Sequence, residues 1–119
     1  MEPVILCYEK CSTCKKALKW VEETGSAVQI RSIREENPTA EELRKWHEES
    51  GLPLKRFFNT SGNLYKEMKL KDRLPGMSEE EQYQLLSTDG MLVKRPLLVT
   101  ENGVCPGFQQ ERWEKLLKA

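Results

Sequence analysis

Two cysteines three positions apart, Cys11 and Cys14, stand where an apolar run gives way to a helical one. The run Val4-Ile5-Leu6-Cys7-Tyr8 has the length and aliphatic content of a buried strand. From Ser12 the pattern turns helical. Ala17, Leu18 and Val21 cluster at helical spacing beside Trp20, and Gly25 supplies a helix stop. This setting constrains both fold and chemistry. With Cys11 at the helix cap and Cys14 in the first turn, two sulfurs reach bonding distance without unwinding the backbone. The free N–H groups and dipole of the helix start favour an anion, which predicts a stabilised thiolate on Cys11. Lys10, Lys15 and Lys16 add positive charge that also lowers a thiol pKa. The spacing thus predicts a redox-competent thiol pair at a strand-to-helix junction.

The rest of the chain fits a sheet around that junction. Val28-Gln29-Ile30 alternates and reads as a second strand, so the opening 33 residues form β-α-β, a unit that demands a parallel pair. Asn37-Pro38-Thr39 opens a helix with Thr39 and Glu42 as a capping box, running to Ser50 and stopped by Gly51. In the middle, Phe57-Phe58 reads as buried and Asn59-Thr60-Ser61-Gly62-Asn63 as a turn, with a short helix from Tyr65 to Leu70. Ser78 and Glu81 mark another capping box, for a helix ending near Asp89-Gly90. Leu97-Leu98-Val99-Thr100 is a buried strand and Glu101-Asn102-Gly103 a hairpin turn. Val104 to Phe108 returns, and Gln109 to Lys118 is a closing helix. The order is β-α-β, a helical insert over about 36–90, then β-β-α. It predicts one α/β domain spanning 1–119 with a mixed sheet.

Charge and composition exclude several classes. Nineteen basic and nineteen acidic residues give a formal net charge of zero, which offers no basic face for nucleic acid. No apolar run approaches the roughly 20 residues that span a bilayer, and the start lacks the apolar core of a signal peptide. A cytoplasmic, reducing location is expected, where structural disulfides among Cys7, Cys11, Cys14 and Cys105 are disfavoured. A zinc site would need a second Cys-x-x-Cys or a pair of histidines. The single His47 lies in a charged helical stretch and reads as surface, so no metal is expected. Cys7 reads as a small buried hydrophobe, and Cys105 as partly exposed and inert.

Arg95-Pro96 ahead of a strand, hairpin and helix, combined with the cysteine pair, resembles a thioredoxin-like fold. That resemblance implies a cis Arg95–Pro96 bond facing the cysteine loop. It places Arg95 near Cys11, where a guanidinium can bind an anion or stabilise a thiolate. Cys11-Ser12-Thr13-Cys14-Lys15-Lys16-Ala17, Phe58-Asn59-Thr60-Ser61-Gly62, the run from Asp89 to Val99, and Gly107-Phe108 are similar to the arsenate reductase / Spx family. The similarity covers nearly the whole chain.

The resemblance implies two branches of activity. In the reductases the residue corresponding to Cys11 attacks arsenate, loop N–H groups and arginines hold the oxyanion, and glutathione with glutaredoxin completes the reduction. In the Spx-like branch Cys-x-x-Cys is a redox switch on a protein that binds the RNA polymerase α subunit. Arg95 matches one reductase arginine; two others fall on Asn59 and on Gly107 or Phe108. The resulting expectation is a thiol-disulfide redox protein with Cys11 as nucleophile and Cys14 as resolving thiol. Arg95 and Pro96 line the site, with Ser12, Thr13 and Lys15 as further binding positions. No metal or organic cofactor is expected to be bound. Glutathione, or a glutaredoxin- or thioredoxin-like partner protein, would act as reductant. The alternatives are a redox-sensing transcriptional regulator and a glutaredoxin-coupled arsenate reductase.

Overall fold

The opening β-α-β forms around a parallel strand pair in the computed structural model, which describes residues 2–118. Strand β1 (Val4–Cys7) leads into helix α1 (Ser12–Thr24) and returns as β2 (Gln29–Ser32), with Ile5 opposite Ile30. Gly25 ends α1 at φ 72°, the left-handed conformation that glycine adopts without a Cβ penalty. The helical segment follows: α2 (Ala40–Ser50), a 3₁₀ turn (Leu54–Phe57), α3 (Asn63–Glu67), α4 (Leu70–Arg73) and α5 (Glu79–Ser87). A 3₁₀ turn at Gly90–Leu92 leads to β3 (Leu97–Thr100), β4 (Gly103–Pro106) and α6 (Gln110–Lys118). The strand order is β2-β1-β3-β4; β1 pairs antiparallel with β3, and β3 with β4.

Strand alternation divides the core in two. Ile5 and Cys7 of β1, Leu98 of β3 and Cys105 of β4 face α1 and α6, where Cys14, Ala17, Val21 and Trp113 are buried. Leu6, Leu97, Val99 and Val104 face the helical segment, whose Leu43, Trp46, Phe57, Tyr83 and Leu86 fill the other layer. The two-residue period of β1 therefore aims Cys7 at the first turn of α1.

Both capping boxes form: Thr39 with Glu42 at α2, and Ser78 with Glu81 at α5. Several boundaries move. β2 begins one residue later than expected and runs on to Ser32, and β4 stops at Pro106 rather than Phe108. The expected helix from Tyr65 to Leu70 is two short helices, because Lys69 takes a left-handed conformation at φ 54° and breaks the hydrogen-bond ladder. His47 is not a surface residue. α2 turns it toward α5, where Nδ1 lies 2.7 Å from the Tyr83 hydroxyl and the ring meets the edge of Phe57. Cys105 is fully buried rather than partly exposed, beneath Trp113 on the α1/α6 face.

The helical segment is tied to the stretch that carries Arg95 into β3. The Asn59 N–H donates to the Leu92 carbonyl at 2.8 Å, and the Lys94 N–H to the Phe57 carbonyl at 2.8 Å. This ladder brings the Asn59 turn alongside Lys94 and Arg95. Among the described residues no helix is long and apolar enough to cross a membrane.

Candidate functional site

The site is built where β1 gives way to α1. Cys11 occupies the helix cap with extended backbone (φ −89°, ψ 120°), and its carbonyl accepts the first helical bond from the Lys15 N–H at 3.1 Å. The Cys11 N–H donates back to the Tyr8 carbonyl at 3.1 Å, which closes the Tyr8–Cys11 turn. Cys11 is half-buried, whereas Cys14, one turn on, is 1 % exposed.

Three sulfurs meet here. Cys14 is hydrogen-bonded by the thiol of Cys7 and by that of Cys11, and its Sγ also accepts the Tyr8 N–H at 3.5 Å. The hydrogen bond from Cys7 is the largest influence on Cys14. With the bonds from Tyr8 and Cys11 and the Arg95 charge, it outweighs burial and lowers the thiol pKa to about 6. The same bond, burial and the neighbouring sulfurs push the Cys7 thiol well above its ordinary range. Negative charge in this cluster therefore belongs on Cys14, with Cys7 as donor.

The lowered pKa lies on Cys14, and thiol and backbone hydrogen bonds together with Arg95 account for it. Cys7 is buried, as its place in β1 implied, and is also a hydrogen-bonding member of the cluster.

Two clefts flank the cysteine turn. The first, of about 450 Å³, is lined by Cys11, Thr13, Asn59, Gly62, Lys94 and Arg95 among others. Its lining includes two cations and no carboxylate. The Arg95 guanidinium lies over the Tyr8 ring, 5.1 Å from its centroid, and donates to the Met91 carbonyl at 3.3 Å. The Arg95 Nε is buried with no hydrogen-bond partner among the described residues. The second cleft, of about 410 Å³, lies on the other side, with Cys7 and Cys14 in its lining beside Lys15, Leu18, Ile30 and Arg34.

The structure thus gathers Cys11, Thr13 and Arg95 into one cleft and sets Cys14 directly behind. Lys15 lines the opposite cleft, and exposed Ser12 lines neither. Pro96 is buried at the foot of β3, its peptide with Arg95 is cis, and its carbonyl accepts the Gly107 N–H at 2.8 Å. Asn59, the position on which the resemblance places a reductase arginine, lines the Cys11 cleft. Phe108 instead packs between Trp20 and Trp113, with ring centroids 5.8 and 5.0 Å away. Sequence reasoning missed Tyr8 altogether. The signal for Cys7 was present, since it shares the strand face of Ile5 and so lies beneath α1. Among the described residues no group of three His, Cys, Asp or Glu side chains is placed to hold a metal ion.

A parallel β-α-β with paired cysteines at its helix start, completed by an antiparallel hairpin behind a buried proline, defines a thioredoxin-like α/β protein. The model of the ArsC family matches residues 6–116, and the chain belongs to that family. The uncharacterized protein YusI of Bacillus subtilis (strain 168) is 50% identical over 108 residues, covering 91% of this chain and 92% of its own. A crystal structure from Bacteroides fragilis, described as related to the ArsC family, superposes with a TM-score of 0.95 at 56% identity, covering 98% of both chains. The protein from Streptococcus mutans UA159 described as a possible arsenate reductase superposes with a TM-score of 0.87 at 40% identity, covering 94% of this chain and 97% of its own.

Proposed function

We propose that this protein is a thiol-disulfide oxidoreductase that acts on anionic substrates through Cys11 and Cys14. The observation that carries the reading is the division of labour in the pair. Cys11 opens into a cationic cleft, while Cys14 is buried against it and hydrogen-bonded to it. A nucleophile must be reachable, and a resolving thiol must be near yet shielded from the wrong partners.

Near neutral pH Cys14 carries negative charge, so it can serve as the base for Cys11. As the Cys11 sulfur attacks a substrate disulfide, its proton passes to Cys14. The substrate S–S bond breaks and the first substrate thiolate leaves, with Arg95 and Lys94 lowering the cost of its charge. That thiolate takes the proton from Cys14. The Cys14 thiolate then attacks the Cys11 sulfur of the mixed disulfide and expels the second substrate thiolate. The substrate gains two electrons, and the protein is left with a Cys11–Cys14 disulfide. Glutathione or a glutaredoxin- or thioredoxin-like dithiol returns the two electrons.

A steady-state disulfide-reduction assay with glutathione as reductant tests this. Cys11→Ser is expected to fall to the uncatalysed rate. Cys14→Ser is expected to accumulate a mixed disulfide on Cys11, visible as added mass. Full activity in Cys11→Ser would overturn the mechanism.

A second reading, arsenate reduction at Cys11, is favoured by the partnerless Nε of Arg95 beside that thiol. A glutaredoxin-coupled arsenate assay separates the two. Turnover above background supports the second reading, and background rate with retained disulfide reduction removes it.

A further inference from the structure

Tyr8 touches both cysteines and Arg95 and belongs to none of the motifs that mark the site. Its N–H donates to the Cys14 sulfur at 3.5 Å, and its carbonyl accepts the Cys11 N–H at 3.1 Å. Its half-buried ring supports the Arg95 guanidinium at 5.1 Å. The main-chain bonds belong to any residue at this position; the ring does not.

The choice of a ring has a chemical consequence. A guanidinium at a binding site must be held in place, and the usual holder is a carboxylate. A carboxylate would fix Arg95 but cancel its charge toward the cleft. An aromatic face attracts the cation through its quadrupole and brings no formal negative charge. Among the described residues Arg95 forms no ion pair, its Nε has no hydrogen-bond partner, and its Nη1 donates to the neutral Met91 carbonyl. No carboxylate cancels its charge, so apart from its pull on Cys14 that charge faces whatever sits beside Cys11.

We infer that Tyr8 is a positioning residue whose ring holds Arg95 over the cysteine cleft without neutralising it, so that anionic reagents are drawn to Cys11. The inference rests on the reading of that cleft as the substrate site, but its test does not require turnover. The reduced protein is alkylated with iodoacetate, which is anionic, and with iodoacetamide, which is neutral and nearly the same size. Rates at Cys11 are read by peptide mass spectrometry, and the ratio of the two rates reports the charge that Arg95 presents.

Tyr8→Leu is expected to lower the iodoacetate-to-iodoacetamide ratio by roughly threefold to tenfold, the worth of a cation–π contact. Tyr8→Phe is expected to keep it, because the ring remains. Arg95→Gln should lower the ratio at least as far, and Tyr8→Leu added to Arg95→Gln should change nothing more, since both act through one group. A lowered ratio in Tyr8→Leu with the iodoacetamide rate unchanged cannot come from general loosening, which would alter both reagents together. If Tyr8→Leu does not fold, Tyr8→Met, similar in length but without a π face, takes its place. An unchanged ratio in Tyr8→Leu or Tyr8→Met, or an additive loss in the double variant, overturns the inference. Loss of the disulfide-reduction mechanism leaves this ratio untouched, so the two readings fail separately.

Discussion

Cys7 and Cys14 are joined by a hydrogen bond between sulfurs across the junction where β1 gives way to α1. Both are buried, Cys7 at 6 % and Cys14 at 1 % exposure, and the bond fixes which of them carries charge. Cys14 is the better anion, because it also accepts the Tyr8 N–H and lies near Arg95. Cys7 keeps its proton and donates it. A third thiol thus sets the acidity of the resolving cysteine.

The first prediction removes that donor. In Cys7→Ala the titration midpoint of Cys14 should rise from about 6 by about one to two pH units, the worth of one hydrogen bond to a charged acceptor. The bonds from Tyr8 and Cys11 and the Arg95 charge remain, so it should stay below the ordinary thiol value of 9.0. Cys7→Ser retains a donor and should stay near the parent. The pH dependence of Cys14 alkylation, followed by peptide mass, measures all three. An identical midpoint in Cys7→Ala and the parent would show that the sulfur contact carries no proton.

The same acidity makes stability depend on pH. Cys14 has a folded pKa of about 6 against an ordinary 9.0, so its folded state favours the ionised form. A depressed pKa contributes stability that is fully present above the unfolded value and is lost as pH falls through the folded value. The melting temperature of the reduced parent, relative to Cys14→Ala, should therefore climb between pH 6 and 9 and level below 6. The cavity left by alanine costs the same at every pH, so it offsets the curve without bending it. A difference that stays flat over that window contradicts an acidic Cys14.

Much of this arrangement was legible in the residues themselves. The cysteine spacing, the alternation of β1 and the two Ser/Thr–Glu capping boxes are local signals, and each element formed where its signal lay. Arg95 reached the cleft because it precedes a buried strand that pairs with β1. What was not legible depended on which neighbour lay across the gap. Lys15 has the charge that the local reading wanted, but the helix turns it to the far side of the cysteines. Tyr8 carries no catalytic group, and its position under Arg95 follows from the β1–β3 pairing rather than from any motif. His47 looked solvated because its sequence neighbours are charged, yet packing against α5 decides its environment.

Gly90 offers a test of how the site is held from behind. A Cβ there would lie 1.7 Å from the Ile33 carbonyl oxygen and 2.7 Å from its carbon, which are backbone atoms that cannot swing aside. The turn at Gly90–Leu92 is therefore seated directly on the chain leaving β2, a few residues ahead of Arg95. Gly90→Ala must lift that turn, and with it the Lys94 N–H bond to Phe57 that aligns the cleft. We expect a loss of about 1–3 kcal/mol in urea unfolding, the usual cost of overpacking a fixed site. A reduced iodoacetate preference at Cys11 should accompany it, as Arg95 shifts. A stability within about 0.5 kcal/mol of the parent, typical of a surface substitution, would mean that the close approach relaxes freely.

Asn59 is where the cleft can be given the charge it lacks. It lines the cleft with Cys11, Lys94 and Arg95, and its amide lies over Gly62, 2.6 Å from where a Cβ on that glycine would stand. The backbone there is fixed by the Asn59 N–H bond to Leu92, so a longer side chain would be delivered to the same place. Asn59→Arg adds a third cation facing Cys11 without disturbing that bond. One further hydrogen bond to a charged oxyanion is worth about 1.5–3 kcal/mol, which corresponds to roughly tenfold or more in affinity. Arsenate should therefore protect Cys11 of Asn59→Arg from iodoacetamide at roughly a tenth of the concentration the parent needs. The disulfide-reduction rate should change far less, because a disulfide sulfur gains nothing from a third cation until its thiolate departs. If arsenate protects both proteins equally, anion binding in this cleft is governed by Arg95 and Lys94 alone, and residue 59 does not tune substrate choice.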